Sequence, residues 1–124
     1  MKVEALYIIK NNGFGEAISE WAEGKQIDVI PTEQKNNDLS VLVDAVVIFH
    51  ENHNFSKEDG LTHNSLLNKN IAIHKVDING TLAATNSNFN LWLERNQPKK
   101  LLIIGEKGIA QNMNLSKFLA GIEG

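Results

Sequence analysis

A chain of 124 residues with 42% hydrophobic and 22% charged residues has enough apolar content to bury one core without staples, which excludes a disordered tail or a solvated stalk. It contains no cysteine, so disulfides, thiolate metal sites and a cysteine nucleophile are all excluded. The formal charge of −3 argues against a nucleic-acid partner, and the only adjacent basic pair is Lys99 and Lys100.

In chain order, residues 6–9 read as a buried strand, and the loop 11–15, NNGFG, opens a helix over 15–23. Ala17, Ile18, Trp21 and Ala22 fall there at helical spacing, with both tryptophans of the chain, Trp21 and Trp92, expected in the core. A weaker strand covers 27–30, and within 31–43 a short helix is expected to begin near Asn37 or Asp38. The run AVVIF over 45–49 is the longest apolar stretch, of strand length, and nothing approaches the roughly 20 residues of a membrane helix. A helix is expected over about 62–68 with Leu66 and Leu67 inward, then a strand over 71–73 extended by Val76 and Ile78. Within it His74 reads as structural. The next helix has Phe89, Trp92, Leu93 and Asn96 on one face, Ser87 as its cap and Pro98 as its stop. Residues 101–104 form another strand, and Leu115, Phe118, Leu119 and Ile122 keep the spacing of a closing helix.

Short β-branched runs alternating with helices predict an α/β fold: a single domain built as a three-layer Rossmann-like sandwich, with a mostly parallel sheet of about five strands and helices on both faces. The start MKVEALYIIK lacks a signal peptide's apolar stretch, so a cytoplasmic protein without membrane contact is expected.

Ligands of open α/β sheets collect at the strands' carboxyl ends, here the loops 11–15, 32–36, 50–60, 77–81 and 105–108. In NNGFG, Asn12, Gly13 and Gly15 could bring backbone N–H groups to an anion, although Ile18 stands where a dinucleotide fingerprint has its third glycine and Glu33 supplies the acid only roughly. The plain alternative is a tight turn. In HENHNFSKEDG, His50, Glu51, His53, Glu58 and Asp59 crowd together with His63 just beyond, while Gly60 and Thr62 open the following helix. Imidazole and carboxylate together could hold zinc, but His50, His53 and His63 match no standard metal-ligand spacing, so neither a metal nor another cofactor is expected; of Phe55, Trp21 and Trp92, only Phe55 lies in a candidate site loop. Glu51, Glu58, Asp59 or His63 could act as nucleophile, base or acid, but the sequence shows no orienting partner. In IGEKG, Gly105 and Gly108 flank Glu106 and Lys107, giving backbone access and one cation for a phosphate, or else a turn with two solvated charges. A receiver domain and a flavodoxin are disfavoured: His50 stands where the first needs an aspartate, and NNGFG lacks the hydroxyls of the second.

Residues 44–108 resemble the Rossmann-like families grouped around the YpsA-like proteins, the molybdenum carriers and the nucleoside deoxyribosyltransferases. The resemblance lies in DAVVIFH as a strand, DGLTHNSLLNKN as a helix, IAIHKVDI as the next strand, and then NLWLERNQPKKLLIIGEKG. His63, Asn64 and Ser65 replace the transferases' nucleophilic glutamate region, and the glycine signatures are reduced to Gly60 with Thr62 and Gly105 with Gly108. The resemblance implies a nucleotide-derived ligand and a homo-oligomer. Three functions stay open: a nucleotide-binding domain, a glycosidic-bond enzyme, and a protein-interaction module without a small-molecule ligand.

Overall fold

The computed structural model describes residues 3–10, 12–33, 39–52, 54–67 and 69–122. Five strands, β1 (Ala5–Ile9), β2 (Asp28–Thr32), β3 (Ala45–His50), β4 (Ala72–Asp77) and β5 (Lys100–Gly105), form one sheet. Their order is β2-β1-β5-β3-β4, and every neighbouring pair is parallel. Four helices accompany them: α1 (Gly13–Gly24), α2 (Lys57–Leu66), α3 (Leu82–Asn96) and α4 (Met113–Ala120), with 3-10 turns at Leu39–Val41 and Lys107–Gln111. This is the Rossmann-like α/β sandwich, with all strands parallel. No helix among the described residues is long and apolar enough to cross a membrane.

Side-chain alternation along the strands divides the core in two. Leu6, Ile8, Val47, Phe49, Leu101 and Ile103 pack against α1, α3 and α4 on one face of the sheet. Tyr7, Val46, Ile48, Leu102 and Ile104 pack on the other face against Leu39 and Leu66. β3 is buried along its whole length because both faces are covered and strands flank it on both sides. β2 is an edge strand with mostly exposed residues, which accounts for its weak apolar signal. It also runs two residues past its expected end and admits Pro31, whose missing N–H is tolerated where one side has no neighbour.

Several expected boundaries are corrected. α1 starts at Gly13, not Gly15, because the Asn12 side chain accepts the Phe14 N–H at 2.8 Å and caps the helix there. α2 runs over Lys57–Leu66 instead of 62–68: Ser56 Oγ accepts the Asp59 N–H at 3.1 Å, so the helix begins five residues early, and Leu67 is 55% exposed instead of inward. α3 begins after Thr81, leaving Ser87 in mid-helix and not at a cap. It ends at Asn96, where Gln97 adopts φ 44° and donates its N–H to Leu93 O, immediately before Pro98. The helix expected near Asn37 or Asp38 starts outside the described residues, and the described part is the 3-10 turn with Leu39 buried and Val41 at 78% exposure. Residues 107–111, read as loop, contain a second 3-10 turn.

Both tryptophans are half-buried at the margin of the core. His74 lies on β4 beneath α3, stacked on Trp92 at a centroid distance of 5.3 Å and tilted against Phe89 at 5.7 Å. Burial lowers its pKa below the ordinary 6.5, because the apolar setting penalises the imidazolium. The unfolded chain therefore takes up the proton first as pH falls. His74's contribution to stability is full above about pH 6.5 and is lost on acidification through that value. Thermal melts at pH 7.5 and 5.5 should show a drop in Tm that shrinks in His74→Phe. An equal drop in both proteins would show that this imidazole is not responsible.

Candidate functional site

The connection after β3 places α2 on one face of the sheet, whereas the connection after its neighbour β5 leads to α4 on the other. Chains leaving adjacent strands in opposite directions are where open α/β sheets form a ligand crevice, here just beyond the paired Phe49 and Gly105, where His50, Glu51 and Glu106 follow.

Among the described residues the buried polar ones are Thr32, His50, Asp59 and Thr62, with exposures between 2% and 7%. Thr32 and His50 are the last residues of β2 and β3, and Asp59 and Thr62 occupy the first two turns of α2. All four lie on the α2 side of the sheet. The inward face of α2 is Asp59, Thr62 and Leu66, so the helix turns polar groups toward the strand ends and an apolar one toward the core. His50 is covered by Phe55, whose ring centroid lies 4.8 Å away and which is itself 36% exposed. His63 is half-buried on α2, and Glu58 is exposed on it. His53 lies outside the described residues, as do Asn11, Asn36 and Asn68. Among the described residues no group of three His, Asp or Glu side chains is placed to hold a metal ion.

The glycines of NNGFG and IGEKG serve each other's packing. A Cβ on Gly15 would lie 2.8 Å from Ile9 O, so its absence lets α1 sit close on β1. A Cβ on Gly105 would lie 2.7 Å from the Phe14 ring, which rests on that backbone. Gly13, Gly60 and Gly108 have open space at the corresponding point, and Gly60 lies within α2 instead of a loop. Lys107 and Glu106 are exposed at the start of the second 3-10 turn.

A polar network that sequence reading missed ties the carboxyl-end loops together. Asn112 Nδ2 donates to Glu51 Oε2 and to Asn79 Oδ1, both at 2.9 Å, while Asn112 Oδ1 caps α4 by accepting the Asn114 N–H. Asn114 Nδ2 donates to Ile78 O at 3.1 Å. Asp77 Oδ1 accepts the N–H groups of Asn52 and Asn79 at 3.2 and 3.0 Å. Glu51 is therefore a strut between loops, and the tight turn after it, closed by Asn54 N–H to Glu51 O, holds Asn52 at φ 52°, a conformation asparagine tolerates. Asparagines distributed along a sequence give no signal of such long-range pairing.

A separate groove of about 520 Å³ runs between α1 and α4, with Trp21, Leu115, Leu119 and the exposed Met113 along it. It is lined by α1, α4 and residues 110–112, with no strand residue, and meets the carboxyl-end network at Asn112. The Trp21 indole N–H is buried there with no hydrogen-bond partner among the described residues.

No protein-family model and no curated protein matches this chain. A crystal structure from Syntrophus aciditrophicus SB, described as a "Putative molybdenum carrier protein", superposes with a TM-score of 0.70 at 13% identity, covering 94% of this chain and 91% of that one. The resemblance drawn from residues 44–108 thus extends, at the level of fold, to almost the whole chain.

Proposed function

We propose that this chain binds a nucleotide-derived small molecule at the carboxyl ends of β3 and β5, under the N-terminal half of α2. The observation that carries this reading is the placing of buried His50 at the end of β3 and of buried Asp59 and Thr62 on α2 on the same side of the sheet, with Thr32 farther off on the edge strand β2. Each of these groups makes an interaction within the protein, so its polar atoms are held in place. Convergent donors and acceptors in an otherwise apolar setting are what fix a base edge or a sugar hydroxyl. Phe55, in ring contact with His50 and partly open to solvent, adds an aromatic face against which a base can stack.

The test is a thermal-shift panel of nucleosides and nucleotides in the absence of other ligands. A compound at about 100 times its Kd adds about 2.7 kcal/mol to the native state, a rise in Tm of several degrees. His50→Ala and Thr62→Val should abolish that rise. No rise with any compound would sink the proposal and leave a protein-interaction role as the better account. The solved relative's description makes molybdenum the second cargo to assay. Its presence at one equivalent in protein purified from the native host, with no nucleotide-derived group attached, would also count against the proposal.

A further inference from the structure

We infer, resting on that reading, that the crevice discriminates against phosphorylated ligands and takes the uncharged or cationic member of a nucleoside–nucleotide pair. A phosphate is usually held by free N–H groups at a helix N-terminus and by glycines that let backbone approach it. Here those devices are partly taken up within the protein. Asn12 Oδ1 takes the Phe14 N–H of α1, and Ser56 Oγ takes the Asp59 N–H of α2. Gly15 and Gly105, the close-approach glycines of the two loops, are pressed against Ile9 O and the Phe14 ring.

The charges point the same way. Glu16 stands in the first turn of α1, Glu58 in the first turn of α2, and Glu106 immediately before the 3-10 turn after β5. Each sets a carboxylate at a positive helix or turn end, where an incoming anion would otherwise be stabilised. Glu51, at the end of β3, adds a fourth carboxylate held in place by Asn112. Lys57 and Lys107 stand next to Glu58 and Glu106 and offset them, and Lys10 follows β1. Among the described residues Glu16 and Glu51 then stand against Lys10, which leaves more acid than base on the rim. A crevice lined by one sign of charge lowers the local concentration of ligands of that sign.

Titration calorimetry with adenosine and guanosine against their 5′-monophosphates, at low and at 0.3 M salt, tests this. Each nucleoside that binds should do so at least tenfold more tightly than its monophosphate, and the gap should narrow with salt because exposed charges are screened. The double substitution Glu16→Gln, Glu106→Gln should also narrow it at low salt. Monophosphates binding as tightly as nucleosides, or a gap indifferent to salt and to the double substitution, would overturn the inference while leaving the binding proposal standing. Absence of binding by nucleosides and monophosphates alike would overturn both.

Discussion

Phe118→Ala should lower the stability of this protein by about 3–5 kcal/mol, the cost of removing a buried phenyl ring together with the cavity left behind. Phe118 has no solvent exposure and joins three elements. Its ring meets Phe49 of β3 edge-on at 5.4 Å and 87°, and Phe89 of α3 at 5.5 Å. Phe49 in turn meets Phe14 of α1 edge-on at 5.1 Å, so one contact chain runs from α1 through β3 to α4 and α3. Such pairs add about 0.5–1.5 kcal/mol beyond area burial. α4 has eight residues, too few to hold a helix in isolation, so its structure depends on this packing and on the Asn112 cap. Asn86 donates to Phe118 O at 2.9 Å, so loosening α4 also removes a tie to α3. Urea denaturation compares this variant with Leu91→Ala, which truncates a side chain 48% exposed on α3 and should cost less than about 1 kcal/mol. Equal losses from the two would show that the aromatic chain is not the centre of the core.

Those aromatic positions are visible in the sequence because they obey simple periods: Phe118 keeps the helical spacing of Leu115, Leu119 and Ile122, and Phe49 closes an unbroken apolar run. The strands and their parallel direction follow from the same signals. α2 is misplaced for a definite reason: its first inward residues, Asp59 and Thr62, are polar, so a search for apolar periodicity finds only the last turn, at Leu66. The information lay instead in Ser56 followed three residues later by Asp59, a capping arrangement with an acid in the N3 place. Placing α2 correctly is also what moves Glu58, Asp59 and Gly60 out of the loop and sets Asp59 and Thr62 on the same side of the sheet as His50. The Asn112 network could not be read at all, since its partners are 61 and 33 residues distant and asparagine has no spacing that announces them.

The glycines are the other place where identity alone was ambiguous, and a pair of substitutions separates their roles. Gly15→Ala should destabilise the protein by a net of about 1–2 kcal/mol. Overpacking costs about 1–3 kcal/mol, offset by roughly 0.5–1 kcal/mol that alanine gains over glycine in a helix. The obstruction is the Ile9 backbone oxygen, 2.8 Å from the new methyl, with Ile8 Cβ at 3.4 Å. A backbone atom of a paired strand cannot swing aside as a side-chain end can, so α1 as a whole must lift from β1, disturbing Phe14 and Ile18 in the fully buried layer beneath it. Gly13→Ala, two residues earlier in the same helix, adds a methyl with nothing within 4 Å and should be neutral or stabilising by up to about 1 kcal/mol. Chemical denaturation of the pair should therefore split them by roughly 1–3 kcal/mol, in opposite directions from the parent. If Gly15→Ala melted with the parent while Gly13→Ala fell, glycine would be needed at the mouth of the crevice for a backbone conformation, and the close seat of α1 on β1 would not be what fixes the position of the candidate site.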